Sequence, residues 1–139
     1  MSEVLRFSLN RTSAPHLPFA EYAALCARLG IDAIEIRNDL PHVEIGDGTP
    51  AERIRAETEA ARLTILSINA LQRFDQFDAE REREAEALAR YAQTCGAKAL
   101  VLCPTSSVHD GRGESERRAD LVYAFISSRS SKTMGWSVS

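Results

Sequence analysis

The stretch that decides the fold is residues 30–37, Gly30-Ile31-Asp32-Ala33-Ile34-Glu35-Ile36-Arg37. Its last four residues alternate isoleucine with a charged residue, which predicts a strand with one apolar and one polar face. Just before it, apolar side chains recur at helical spacing over residues 19–29, and Gly30 stands where a left-handed glycine would end that helix. The stretch therefore indicates a helix that leads directly into a strand.

The same alternation of helix and strand extends to both sides of this stretch. Thr49, Pro50 and Glu52 form the pattern of a capping box at a helix start. Asp78 is a candidate helix N-cap, and Gly96 is a candidate helix end. These signals predict strands at residues 4–10, 31–37, 63–69 and 98–103, and helices at 19–29, 50–62, 79–95 and from 114 or 115 to about 125. Four consecutive βα units predict an α/β fold with a parallel sheet and right-handed crossovers.

Two architectures have this order of elements, an open doubly wound sheet and a (β/α)8 barrel. An open sheet is covered on both faces, so its strands are continuous apolar runs. Here polar side chains occupy alternate positions, such as Ser8 and Asn10 in the first strand and Ser67 and Asn69 in the third. This alternation favours a barrel, and 139 residues are enough for about half of one. We therefore predict a parallel (βα)4 half of a TIM barrel at residues 1–125, followed by an irregular tail at 126–139.

Composition and charge exclude several classes of protein. With 17 Lys and Arg against 20 Asp and Glu, the net charge is −3, so no nucleic-acid partner is expected. No apolar run approaches the ~20 residues of a membrane span, and the N-terminus lacks the pattern of a signal peptide. Cys26, Cys95 and Cys103 fit neither a disulfide framework nor a zinc pattern. We predict a reduced, cytoplasmic chain without membrane contact.

Candidate functional residues lie at the ends of the predicted strands and in the loops that follow. Glu35 and Arg37 share one face of a strand, either as ligand-binding groups or as a buried structural ion pair. The three histidines, His16, His42 and His109, all fall in loops after strands, where they are either simply exposed or close to a site. None is spaced with a carboxylate as metal ligands on one element, so no metal site is predicted within this chain.

Several segments together resemble the xylose-isomerase-like TIM-barrel family, which includes sugar phosphate isomerases and epimerases as well as inosose isomerases and dehydratases. They are Phe7-Ser8-Leu9-Asn10, Ala14-Pro15 and residues 30–40, with further similarity at residues 95–100 and 113–118. Within residues 30–41, the part from Glu35 to Pro41 is most similar to the branch associated with myo-inositol catabolism. The resemblance covers roughly residues 4–124.

The resemblance implies isomerisation, epimerisation or dehydration of a sugar or cyclitol. In such a reaction a divalent metal (Mn, Co or Mg) holds adjacent substrate oxygens while a carboxylate moves a proton. The family's metal ligands lie on strands five to eight, so no cofactor is expected within this chain. By analogy, the residues expected to contact substrate are Asn10, His16, Glu35, Arg37, Asn38 and Gln72, and no catalytic residue is assigned.

Three functional hypotheses follow. The first is a truncated isomerase or epimerase of carbohydrate or inositol catabolism that is inactive alone. The second is a binding or assembly module, a half-barrel that pairs with itself or a second polypeptide through open sheet edges. The third is a small open-sheet α/β protein of unrelated function.

The tail differs in composition from the rest of the chain. Six of the thirteen residues 127–139 are serine, and no periodicity is present. A disordered terminus is one explanation. A frameshift near residue 125 is the stronger one, because suitable synonymous codons read in a shifted frame encode a helix end, Asn-Gly and an apolar strand start. The downstream nucleotide sequence would test it: a stop within a few codons of that frame contradicts a frameshift.

Overall fold

The computed structural model describes residues 6–76, 78–105, 111–116 and 118–119. Strands and helices alternate along the chain, apart from one 3-10 turn at Arg11–Ser13. The elements are β1 Ser8–Asn10, α1 Phe19–Leu29, β2 Ala33–Arg37, α2 Ala51–Ala60, β3 Thr64–Gln72, α3 Ala79–Cys95 and β4 Ala99–Cys103. Residues 114–116 and 118–119 are helical, where the start of the fourth helix was predicted. The start of the predicted first strand, His109 and the tail at 126–139 lie outside the described residues.

The four strands form one parallel sheet in the order β1-β2-β3-β4. One face of the sheet packs against the helices, because the apolar side chains of its strands point that way. Its core joins strand isoleucines to apolar side chains of α1, α2 and α3: Ile34, Ile36, Ile65, Ile68, Tyr22, Cys26, Ile54 and Leu88. The predicted parallel α/β fold is confirmed.

Three of the helix ends have the capping residues that the sequence predicts, and the start of α2 does not. Gly30 ends α1 and Gly96 ends α3, both with left-handed backbone. Asp78 caps α3 by accepting a hydrogen bond from the backbone N–H of Arg81. The capping box predicted for α2 is not formed: Pro50 is the N-cap residue, without a side-chain capping bond, and the backbone N–H of Thr49 donates to Asp47 instead.

An irregularity in β3 changes which of its side chains face the core. Ile34 pairs with Ile65, but Glu35 pairs with Ser67, so Leu66 is an extra residue in a β-bulge. Strict alternation with the polar residues Ser67 and Asn69 predicts Leu66 on the apolar face, but Leu66 is 38% exposed, whereas Ile65 is 2% exposed. The prediction for Leu66 was wrong because the bulge breaks the period-2 alternation on which it depended.

No helix within the described residues is long and apolar enough to cross a membrane.

Candidate functional site

The carboxyl ends of the strands bring the predicted polar residues together on the face opposite the helices. Asn10, the last residue of β1, pairs in register with Glu35 of β2, and Glu35 pairs with Ser67 of β3. The Nδ2 group of Asn10 donates to Glu35 Oε2 at 2.8 Å. Asn69 Nδ2 donates to Ser67 Oγ at 3.1 Å on the same face. These side chains form a polar surface where a parallel sheet presents its ligand-binding edge.

Arg37 extends this surface at the end of β2. Its Nε and Nη2 donate to the two carboxylate oxygens of Asp39, at 2.7 and 2.5 Å. The hydrogen bond from Arg37 holds the pKa of Asp39 below its ordinary value. Bonding to Asp39 raises the pKa of Arg37, and Cys103 and Glu35 are close enough to raise it further. The structure therefore gathers Glu35, Arg37 and Cys103 at one end of the sheet.

The hypothesis of a structural ion pair between Glu35 and Arg37 is wrong. Glu35 is bonded to Asn10, and Arg37 forms its ion pair with Asp39. The side chains of residues i and i+2 on a strand lie about 6.5–7 Å apart at their bases. Asp39 lies beyond the strand, so its carboxylate can turn back to meet the guanidinium in a bidentate geometry.

Of the three other residues predicted to contact substrate, Asn38 lies near this polar surface, whereas Gln72 and His16 have no bond to it among the described residues. Asn38 donates its backbone N–H to Asn69 O at 3.0 Å, and its Oδ1 is buried without a hydrogen-bond partner. Gln72 was predicted in the loop after the third strand but is the last, exposed residue of β3, paired with Cys103. His16 is exposed before α1, and no hydrogen bond among the described residues joins it to Glu35 or Arg37.

A buried charged network supports the surface beside Asn10. Arg11 and Glu44 are 0% and 2% exposed, and Arg11 Nε donates to Glu44 Oε1 at 2.7 Å. The other guanidinium nitrogens of Arg11 donate to the carbonyls of Ala14 and Leu17, and the group lies 4.6 Å from the centre of the Tyr22 ring. Burial raises the pKa of Glu44, against the opposing effect of Arg11. The network joins the loop after β1 to the loop after β2.

A second connection joins the loop after β3 to the segment after β4. Asp75, 5% exposed, accepts from the backbone N–H of Thr105 at 2.7 Å and from its hydroxyl at 2.9 Å. Arg112 donates to the Asp75 carbonyl at 2.7 Å and to its carboxylate at 3.3 Å. Sequence reasoning identified neither this connection nor the Arg11–Glu44 pair, because the partners lie 30 or more residues apart in polar loops.

The described residues of this surface do not provide a ligand set for a divalent metal. Within residues 6–76, 78–105, 111–116 and 118–119, no three His, Cys, Asp or Glu side chains are grouped so that they could hold an ion. Glu35 already accepts from Asn10, and Asp39 is bound by Arg37. The metal that the resemblance implies therefore does not fit these described residues.

A separate open cleft of about 430 Å³ lies on the helical side of the molecule. It is formed between the start of α2 and α3, with Pro50, Ala87 and Tyr91 among its lining residues. The hydroxyl of Tyr91 donates to Thr49 O at 2.9 Å and joins its two sides. None of the predicted substrate contacts lines this cleft, so the polar end of the sheet is the candidate site.

Solved structures match this chain along most of its length. A xylose isomerase domain containing protein from Salmonella typhimurium LT2 matches with a TM-score of 0.75 and 33% identity, over 89% of this chain and 46% of that one. The IolI protein with a binding zinc atom matches with a TM-score of 0.75 and 20% identity, over 94% of this chain and 49% of that one. The fold is that of half of a xylose isomerase-like TIM barrel.

The half-barrel also matches a xylose isomerase-like TIM barrel/4-hydroxyphenylpyruvate dioxygenase fusion protein, with a TM-score of 0.70 and 17% identity, over 88% of this chain and 20% of that one. This chain spans about half the length of the Salmonella and IolI proteins, at 46% and 49%. No family model and no curated protein matches the sequence. The predicted resemblance to xylose isomerase-like TIM-barrel proteins is confirmed.

Proposed function

We propose that the half-barrel supplies a substrate-contacting surface of a sugar or cyclitol isomerase or epimerase of carbohydrate or inositol catabolism, and that it does not turn over substrate alone. The observation that carries the proposal is the pairing of Asn10 with Glu35 and of Arg37 with Asp39 at the carboxyl ends of adjacent strands. Names of the matched structures support the reaction class, since they include a xylose isomerase domain.

The surface has donors and acceptors in the arrangement that a polyol needs. A hydroxyl group donates one hydrogen bond and accepts others, so neighbouring hydroxyls suit alternating acceptors and donors on the protein. Glu35 offers a carboxylate that Asn10 holds through one oxygen. Arg37 uses two of its five N–H groups on Asp39, and the described residues provide no acceptor for the other three. Glu35 thus accepts from a substrate hydroxyl, and Arg37 donates to a neighbouring substrate oxygen.

The experiment is a titration of the 15N-labelled chain with myo-inositol and with xylose, followed by NMR. Binding should shift backbone signals of β2 and of the loop that follows it. Glu35→Gln should weaken binding about tenfold or more, because a hydrogen bond to a charged group contributes about 1.5–3 kcal/mol. The control is Glu21→Gln, which removes the same charge from an exposed position on α1. Equal binding by the two variants, or no binding by the wild type at high polyol concentration, would contradict the proposal.

Self-association is a second candidate role. The sheet order leaves β1 and β4 as the edge strands of the described sheet. Phe7 next to β1 and Leu102 on β4 are 69% and 51% exposed, so both edges carry apolar side chains that a second copy would cover. Size-exclusion chromatography with light scattering tests this role. A discrete dimer supports it, and a monomer at concentrations of tens of micromolar contradicts it.

A further inference from the structure

The carboxylate of Glu35 is held by an amide whose own orientation is fixed. Asn10 Nδ2 donates to Glu35 Oε2 at 2.8 Å. The Oδ1 atom of the same amide accepts from the backbone N–H of Thr12 at 3.1 Å and from the Thr12 hydroxyl at 2.9 Å. With the amide turned over, its oxygen would face a carboxylate oxygen and its NH2 group would face a backbone donor. Only one orientation therefore satisfies these partners.

We infer that Asn10 is a positioning residue for Glu35, with Thr12 fixing the orientation of the Asn10 amide. The inference rests on the proposed function, in which Glu35 accepts a hydroxyl of the substrate. The acceptor of Asn10 and one of its donors are used within the protein, and through that donor Asn10 acts on substrate by holding Glu35. The second N–H of the Asn10 amide stays available, so the sequence-based expectation that Asn10 also contacts substrate stays a prediction.

The turn that carries Asn10 and Thr12 is joined to the buried interior of the molecule. Asn10 is the N-cap of the 3-10 turn Arg11–Ser13. Arg11, the first residue of that turn, is fully buried and bonded to Glu44. The buried Arg11–Glu44 ion pair thus holds the backbone that carries Asn10 and Thr12. Asn10, held in this way, fixes the position of the half-buried carboxylate of Glu35.

Asn10→Asp is the variant that isolates the donation to Glu35. Aspartate is as good an N-cap as asparagine and still accepts from Thr12, so the turn is preserved. It cannot donate, and it places a second carboxylate beside Glu35, which repels it. The matched control is Gln93→Glu, which adds the same charge at an exposed position of α3. The double variant Asn10→Asp/Glu35→Gln restores an amide–carboxylate pair with the two roles exchanged.

Two measurements are made on each variant, the midpoint of thermal unfolding and the affinity for myo-inositol and xylose. Asn10→Asp should lower the midpoint by about 3 °C or more and weaken polyol binding about three- to tenfold. The double variant should recover the midpoint but not the affinity, because no carboxylate then stands at position 35. Gln93→Glu should leave the affinity unchanged and lower the midpoint only slightly, because it adds an exposed negative charge to the last turn of α3.

The outcomes separate this inference from the proposed function. If Asn10→Asp leaves polyol affinity equal to that of Gln93→Glu, Asn10 does not position Glu35. If Asn10→Asp lowers the midpoint and the double variant does not recover it, Asn10 and Glu35 are not in direct contact, and the inference is overturned. If the wild type binds no polyol, the proposed function fails, whereas the midpoints of the single and double variants still decide whether Asn10 holds Glu35.

Discussion

Replacing Arg11 with methionine tests whether the buried charged network stabilises the half-barrel. Arg11 is fully buried, and its ion-pair partner Glu44 is 2% exposed. Arg11→Met preserves most of the apolar length of the side chain and removes only the guanidinium. Glu44 is then left as a buried carboxylate without its cation, and the carbonyls of Ala14 and Leu17 lose their donors.

The magnitude follows from the cost of an unpaired buried charge. Removing one partner of a buried pair typically costs about 3–5 kcal/mol. A domain of this size has a free energy of unfolding of about 5–15 kcal/mol. At roughly 2–4 °C for each kcal/mol, the midpoint of thermal unfolding should fall by about 10 °C.

The assay is thermal and urea unfolding at pH 7, followed by far-ultraviolet circular dichroism. The control is Arg55→Met, which removes an exposed arginine paired with Glu59 on α2 and should cost less than about 1 kcal/mol. The double variant Arg11→Met/Glu44→Leu should recover much of the loss, because neither charge then remains buried. If Arg11→Met is as stable as Arg55→Met, the reasoning from the buried ion pair is refuted.

Three further predictions concern the catalysis, the loops and the bulge. The purified chain should show no isomerase activity with Mn²⁺ or Co²⁺, and turnover of xylose or an inosose that a chelator abolishes would contradict this. Although burial opposes them, hydrogen bonds from Thr105 hold the pKa of Asp75 below its ordinary value of 3.8. The stability that Asp75 contributes is therefore present above that pH and is lost as the pH falls through the lowered pKa. Asp75→Asn should lower the urea midpoint at pH 7 and have little effect near pH 2, whereas an equal loss at both values would contradict the prediction. Ile65→Ala should cost about 2–5 kcal/mol and Leu66→Ala less than about 1, since only Ile65 is in the core; a larger cost for Leu66 would contradict the register of β3.

Features set by neighbouring residues were predictable from the sequence. Gly30 and Asp78 act on the backbone within a few positions of themselves, so their roles follow from residue type and spacing. Alternation of Ile34 and Ile36 with charged residues likewise identified the two faces of β2, because a regular strand has a strict period of two. The parallel α/β fold and the choice of face for the candidate site followed from these local patterns.

Features set by the packing of distant segments were not predictable. The bulge at Leu66 adds a residue to β3 without a glycine or proline to mark it. Arg11 and Glu44 stand 33 positions apart in polar loops, where charged residues are normally exposed to water. The candidate site contains one case of each kind, since the strand face of Arg37 was predictable and the bond from Asn10 to Glu35, 25 positions apart, was not.

The order of the strands has a consequence for how the chain is made. Within the described sheet each strand pairs only with its immediate neighbours in sequence, so β2 can dock on β1 before β3 has been synthesised. Proteins emerge from the ribosome at about 5–20 residues per second, and a unit of roughly 30 residues takes seconds to appear. Loop closure within such a unit takes far less than a millisecond. The nascent sheet can therefore grow one unit at a time, with each new helix covering apolar surface as it leaves the ribosome.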